Sequence, residues 1–335
     1  MSFSPRHPIK ASEGVPFSRI YGMSGYTPSR VVTNDEVITW IDSSDEWIRT
    51  RSGISRRHWA TGEETVEYMS AEAAKKAIER SGVPVEEIGA IVVSTVGWFT
   101  QTPSLACVIA GDLGSTAAAY DISAACAGFS YAIAQADALV RSGAARYVLA
   151  IGVERLSDLT NKSDRSTAFI FGDGAGAAVV GPSDQPGIGP VVWGSDPENG
   201  HLIQQEPHWP EAVAKGEMPV LVMDGNPVFK WAAFTVSHYA EQALAAAGLA
   251  PEELDVFVPH QANDRITQAM VRTLKLPESV LVSHNIENTG NSSAASIPMA
   301  IEALYEGGQV HSGETCLIIG FGAGLVYSGQ VIVLP

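Results

Sequence analysis

The sequence predicts an α/β protein built from two similar halves, and three observations carry that reading. "SGVPVEEIGAIVVSTV" (Ser81–Val96) resembles "AGLAPEELDVFVPHQA" (Ala247–Ala262), each a helix end, a glycine stop, an acidic turn and a buried strand. "GDGAGAAVV" (Gly172–Val180) echoes "GFGAGLVYS" (Gly320–Ser328), each a glycine-rich turn entering an apolar strand. The 335 residues are 45% hydrophobic and 17% charged, enough to bury a large core. Helix–turn–strand units are common, so one matched pair would prove little. Two pairs in the same order point to duplication, at a period too long for a solenoid. The expected product is two halves, residues 1–184 and 185–335, each a sheet with helices, packed through a shared central layer.

The elements follow in order. "AEAAKKAIER" (Ala71–Arg80) predicts a helix, matched later by "SHYAEQALAAA" (Ser237–Ala247). "AAYDISAA" (Ala118–Ala125) ends a β-like segment, and "CAGFSYAIAQADALVRSG" (Cys126–Gly143) predicts a helix with Arg141 in its last turn and Gly143 as its stop. Gly181–Pro210, with "GPSDQPGIGP" and "WGSDPENG", is expected to connect the halves.

Composition excludes several classes. A net charge of −16 argues against nonspecific nucleic-acid binding, which needs a positive field. No apolar run approaches the ~20 residues of a membrane span. The first residues lack the apolar core of a signal peptide, so a cytoplasmic location is expected. Three cysteines cannot all pair, which suits a reducing compartment. No metal ligands are assigned.

One cysteine stands apart. Cys126 falls at a predicted helix N-terminus, where unsatisfied N–H groups and the macrodipole favour a thiolate. Ala124, Ala125, Ala127 and Gly128 leave room beside the sulfur. Free cysteine is often core filler, and Cys107 in "SLACVIAGDLG" and Cys316 in "ETCLIIG" fit that description. A nucleophilic thiol needs a partner. Seven of the eight histidines lie in polar surroundings and read as surface residues. His260, in "DVFVPHQANDRI", follows a buried strand, where α/β proteins build their sites. Asn291, in "NTGNSSAASIP", could present an amide or serve only its turn. "IGFGAGLVYSG" offers backbone N–H groups to an oxyanion. "GDGAGAAVV" leads into a strand-like run and does not match the dinucleotide fingerprint. Cys126, His260 and Asn291 together suggest acyl chemistry through a thioester, with a cysteine hydrolase and an acyltransferase both open. The local pattern of the papain-like proteases is absent.

Five ordered stretches, "SSDEWIRTRSGI", "DISAACAGFSYA", "DRSTAFIFGDGAGAAVV", "VPHQANDRI" and "GNSSAASIP", resemble the β-ketoacyl-acyl-carrier-protein synthase III family over nearly the whole chain. The resemblance implies a thiolase-type fold layered αβαβα, and a homodimer. It implies that Cys126 takes an acyl group from acyl-CoA. His260 and Asn291 then donate hydrogen bonds to the thioester carbonyl of malonyl-acyl-carrier protein. The N–H groups of Cys126 and Ala323 hold the oxyanion, with Ala323 standing where the family usually has glycine. Trp47 and Arg165 would sandwich the adenine of CoA, with Arg51 nearby and Gly225 and Asn263 along the pantetheine arm. Gln261, Ala262, Asn263, Asp264, Arg265, Arg272 and Lys275 match the carrier-protein docking segment. Acyl-CoA is a substrate, and no cofactor is implied. Thr102 occupies a position where short-chain members carry a phenylalanine that closes the acyl channel, so an open channel is expected unless Trp98 or Phe99 fills it. The rivals are an enzyme priming a polyketide pathway or acylating a hydroxyl or amine, a cysteine hydrolase, and a non-catalytic acyl-CoA binder.

Overall fold

Runs such as IGAIVVS and YVLAIGVER are apolar at both odd and even positions, the pattern of strands buried on both faces. The computed structural model describes residues 6–7 and 9–335. These runs lie inside two five-stranded sheets. The first holds β1 (Phe17–Tyr26), β2 (Ile88–Ser94), β3 (Ala118–Ile122), β4 (Tyr147–Arg155) and β5 (Asp173–Ser183). The second holds β6 (Val192–Ser195), β7 (Val256–Pro259), β8 (Leu281–Val282), β9 (Thr315–Gly322) and β10 (Val326–Val333). Their orders are β1-β5-β4-β2-β3 and β6-β10-β9-β7-β8, so the duplication extends to every strand of these two sheets. Directions agree too: β2 runs parallel to β3 and β4, as β7 does to β8 and β9, and the other pairs are antiparallel.

Six helices complete the layers: α1 (Val66–Ser81), α2 (Leu105–Asp112), α3 (Gly128–Arg141), α4 (Ser237–Ala246), α5 (Asp264–Leu274) and α6 (Ser296–Glu306). Ala90 and Val92 of β2 point to α3 and α6, which also receive Val256 and Val258 of β7. Ile91 and Val93 point the other way, to α1 and α2. Phe257 packs against α4 and α5. The result is the αβαβα arrangement of the thiolase-type fold, with α3 and α6 between the sheets. Phe129 of α3 is fully buried in that central layer, and Phe129→Ala would cost about 3–5 kcal/mol. Helix ends follow the expected chemistry. Thr65 caps α1 by accepting the Tyr68 N–H, and Gly82 and Gly248 leave α1 and α4 with φ of 65° and 76°.

Two expectations need correction. Gly181–Pro210 is not a plain connection, because it contains β6, the edge strand of the second sheet. The second repeat pair also differs in detail. Gly174 already lies inside β5, whereas Gly322 closes β9 and precedes a turn into β10.

Candidate active site

The nucleophile candidate sits at a sharp corner. β3 ends at Ile122, a one-turn 3-10 helix spans Ala125–Ala127, and α3 follows. Ala125 enters that turn with φ 44°, a left-handed value that costs a non-glycine residue about 1–2 kcal/mol. The turn presses against β9. A Cβ on Gly322 would lie 2.8 Å from Cys126 Cβ and 3.0 Å from its Sγ, so only glycine fits there. Cys126 keeps part of its surface open, yet its sulfur is closely surrounded by protein. Burial pushes the thiol up to about 12, against a lowering hydrogen bond from Ser293. The helix N-terminus therefore does not by itself yield a resting thiolate. Cys316 is buried in the central layer as expected, but Cys107 is exposed, because α2 covers an edge of the first sheet.

His260 and Asn291 reach the thiol's surroundings from the second half. His260 follows β7 and is almost fully buried, and its ring meets Phe321 edge-on at 5.2 Å. Phe321 adjoins Gly322, which touches Cys126. Burial lowers His260 to about 3, so the ring is neutral at ordinary pH. Its Nδ1 lies 2.7 Å from the Ser296 hydroxyl, whose oxygen already accepts the Gln261 N–H at 3.4 Å. The Ser296 hydroxyl proton has no other acceptor among the described residues, so it goes to Nδ1, which leaves the proton on Nε2 as a free donor. Asn291 is also buried, and its Oδ1 accepts the Ser293 N–H at 2.9 Å. That bond turns the amide so that Nδ2 is free to donate. Of the other histidines, His58 is half-buried, with Nδ1 2.6 Å from the Pro28 carbonyl.

A cavity of about 420 Å³ opens beside the thiol. Cys126, Ser293 and Ala323 line one end, and Trp98, Phe99 and Trp209 are among its walls. Its size suits a small organic chain. His260 and Asn291 lie outside its lining. Thr102 is exposed and does not line it in the single chain. Phe99 and Trp209 instead meet at 5.5 Å.

The remaining candidates divide. Arg165 lies 4.4 Å from the Trp47 ring centroid and Arg51 lies 6.0 Å from it. A flat base between Trp47 and Arg165 needs about 7 Å, two ~3.5 Å contacts, so Arg165 must move to form the expected sandwich. Gly225 is exposed at the start of a short helix with open space round it. Asn263 caps α5 by accepting the Arg265 N–H at 3.0 Å and donates to the Arg51 carbonyl at 3.0 Å. Arg265 and Arg272 are exposed on α5, Ala262 is half-buried, and Asp264 pairs with His284. Gln261 does not belong on a docking surface. It is fully buried, donating to the Pro259 carbonyl at 2.8 Å and accepting the Ile286 N–H at 3.0 Å. Lys275 lies one residue beyond α5 with φ 54°, off the helical face expected for it.

Comparisons with known proteins agree with this geometry. Models described as 3-Oxoacyl-[acyl-carrier-protein (ACP)] synthase III and its C-terminal part match residues 120–197 and 244–334. A β-ketoacyl-[acyl-carrier-protein] synthase III of Streptomyces glaucescens is 54% identical over 330 residues, covering 98% of this chain and 99% of that protein. This chain belongs to the β-ketoacyl-[acyl-carrier-protein] synthase III family. Among solved structures, the priming β-ketosynthase of the R1128 polyketide biosynthetic pathway matches with TM-score 0.95 and 47% identity, covering 98% of both chains. The Aquifex aeolicus synthase III matches with TM-score 0.88 and 36% identity over 94% of this chain and 99% of that one. This synthase III is therefore an enzyme with the thiolase-type fold. No helix among its described residues is long and apolar enough to cross a membrane.

Three residues of this synthase III escaped sequence reasoning. Gly322 looks like any turn glycine until its contact with Cys126 is seen. Ser293 enters its turn with φ 48° and lines the cavity. Glu154, near the end of β4, is fully buried, and its Oε1 accepts the Ser293 hydroxyl at 3.2 Å. Burial pushes Glu154 up to about 8. "AIGVERL" reads as a strand leaving the core, and nothing in it marks the carboxylate as buried.

Proposed function

We propose that this synthase III joins an acyl primer to malonyl-acyl-carrier protein by decarboxylative Claisen condensation, initiating fatty-acid synthesis. Cys126 attacks the thioester of acyl-CoA and becomes acylated, releasing CoA. Malonyl-acyl-carrier protein then enters, and loss of carbon dioxide builds negative charge on its thioester oxygen. His260 Nε2–H and Asn291 Nδ2–H stabilise that charge, and they help rate because it exists only on the way to the carbanion. The carbanion attacks the acyl-Cys126 carbonyl, whose oxyanion is held by the N–H groups of Cys126 and Ala323. Neither proton donor needs to titrate, which suits a histidine kept neutral by burial. The carrying observation is a thiol on the wall of an apolar-walled cavity, its turn packed on the short segment whose serines set the orientations of two buried donors.

Trp47, Arg51 and Arg165 offer CoA an indole face and two guanidinium groups, and Gly225 and Asn263 are the candidates for its pantetheine arm. Arg265 and Arg272, seven residues apart on one face of α5, offer an acidic carrier protein a local cationic surface on an acidic enzyme. Ala262, Asn263 and Asp264 form the start of that surface. The chain acts as a homodimer in this reading. β3 is an edge strand with an exposed Ala118 and four half-buried residues, an unpaired edge that a second copy would cover. Sedimentation would test it, a monomer at micromolar concentration ending the idea. Unpaired Cys107, Cys126 and Cys316 suit a reducing, cytoplasmic setting.

The test of the whole reading is intact-protein mass spectrometry after exposure to a panel of acyl-CoAs, followed by product analysis with malonyl-acyl-carrier protein. A covalent adduct, then a β-ketoacyl product with release of carbon dioxide, is expected. Free acid without a carrier protein would favour a hydrolase. The likeness to the R1128 priming enzyme supports a second reading, in which the product primes a polyketide pathway. Competition between fatty-acid and polyketide carrier proteins for the acylated enzyme separates the two.

A further inference from the structure

We propose that Glu154, acting through the Ser293 hydroxyl, accepts the proton that Cys126 loses as it attacks its acyl donor. The proposal rests on the acyl-transfer reading and adds a path for the proton, which neither His260 nor Asn291 supplies there. The chain is short. Glu154 is fully buried and held from the far side by the Val96 N–H, 3.2 Å from both of its oxygens, and by the Thr95 hydroxyl at 3.3 Å. Its Oε1 faces the Ser293 hydroxyl at 3.2 Å. Ser293 and Cys126 both line the cavity, the turns carrying them pack on each other, and the Ser293 side chain is near enough to lower the thiol. Both turns open with a left-handed residue, Ala125 at φ 44° and Ser293 at φ 48°, a backbone form retained where surroundings dictate it.

One hydroxyl proton thus stands between two acceptors. With Glu154 ionised, Ser293 donates to the carboxylate and accepts from the thiol. As Cys126 Sγ forms its bond to the thioester carbon, the thiol proton passes to Ser293 and the Ser293 proton passes to Glu154. Ser293 then donates toward the sulfur side. When the tetrahedral intermediate collapses, the bond to the CoA sulfur breaks with its electron pair, and the proton stored on Glu154 is given back to that departing thiolate. The products are acyl-Cys126 and CoA thiol, with Glu154 restored.

Electrostatics favours this route over direct ionisation. Moving the proton keeps one negative charge in the pair, whereas a thiolate beside an ionised Glu154 would place two in a dry site. The neighbouring charges do not interfere. Arg155 pairs with Asp158 at 3.3 Å, and Asp173 on β5 is bonded to Ser157 and the Ala60 N–H. Glu154 titrates near neutrality because it is buried, which suits an acceptor in reversible exchange.

The test uses Glu154→Gln, Ser293→Ala and Glu154→Asp. In a Cys107→Ala background, alkylation of Cys126 by iodoacetamide is followed by intact mass from about pH 6 to 10, beside self-acylation from an acyl-CoA that the wild type accepts. Wild-type rates should rise through the region near pH 8 where Glu154 ionises. Glu154→Gln and Ser293→Ala should each lose that inflection and slow self-acylation at about pH 8 by about a hundredfold. Glu154→Asp should recover part of the rate with the inflection moved. A wild-type profile in Glu154→Gln or Ser293→Ala overturns the relay. So does an equal loss at every pH, since a packing defect lowers rates without moving an inflection. Alkylation needs no acyl-CoA. If alkylation behaves as expected while every CoA thioester is refused, the acyl-transfer reading fails and the relay survives.

Discussion

Ser94 and His260 occupy the same place in the two halves. Val93 pairs with Ile151 as Pro259 pairs with Ile319, and Ser94 and His260 are the next residues along. The same frame aligns Glu154 with Gly322. The turns before α3 and α6 match as well, through Ala125 and Ser293, so Cys126 corresponds to Ala294 and Gly128 to Ser296. Each half thus offers the same set of positions and fills them differently. The first half supplies the thiol and a buried carboxylate. The second supplies the donors, their serine partner, and a glycine that lets the thiol approach. Duplication provided the geometry, and divergence at a few facing positions provided the chemistry.

The comparison can be broken most severely at the thiol. Cys126→Ala should abolish the acyl adduct, while Cys107→Ala and Cys316→Ala keep it, as read by intact mass after acyl-CoA exposure. Moving the thiol to its counterpart, in Cys126→Ala with Ala294→Cys, should not restore the adduct, because the partners do not exchange with it.

Next in size come the donors of the second half. His260→Ala and Asn291→Ala should each slow malonyl decarboxylation by about a hundredfold or more and leave self-acylation nearly intact. The two half-reactions are measured separately, and equal loss in both would refute the division of labour. With His260 lowered to about 3 by burial, decarboxylation should show no histidine inflection between about pH 5 and 8. Gly322→Ala tests the approach itself. Its new Cβ would displace the thiol, and self-acylation should fall by about a hundredfold with the fold retained by circular dichroism.

Smaller effects sharpen the contrast. α5 carries Arg265 and Arg272, whereas its counterpart α2 has no basic residue. Arg265→Glu should raise the KM for malonyl-acyl-carrier protein several-fold, most at low salt, because exposed charges are screened beyond about 8 Å at physiological ionic strength. Acylation from CoA should be unaffected. Ser94→Ala should matter least. The buried Ser94 hydroxyl has no hydrogen-bond partner among the described residues, so its loss should move stability by less than about 1 kcal/mol in thermal unfolding.

Legibility in the sequence followed the range of the forces involved. The duplicated units were readable because helix stops and two-sided apolar strands are local patterns, and the layered fold follows from them. The places of Cys126, His260 and Asn291 in the fold were readable because each lies where a local element ends and the chain turns. Glu154 and Ser293 were not, since they meet only when β4 and the segment before α6 are brought together by the central layer. Gln261 misled because its neighbours face outward while its own amide closes backbone groups inside. Lys275 fell off its face by one residue, the scale at which helix ends are decided by capping rather than by periodicity.

The shared central layer has a consequence for synthesis. α3 is complete and packed on the first sheet long before β7, β9 and α6 exist, yet these elements bury its other side. The roughly 150 residues still to be made after β5, at about 5–20 residues per second, leave an apolar face uncovered for about eight to thirty seconds. During that interval the nascent first half resembles one partner of a dimer waiting for the other. It is the stretch of the protein's life in which chaperones have most to hold.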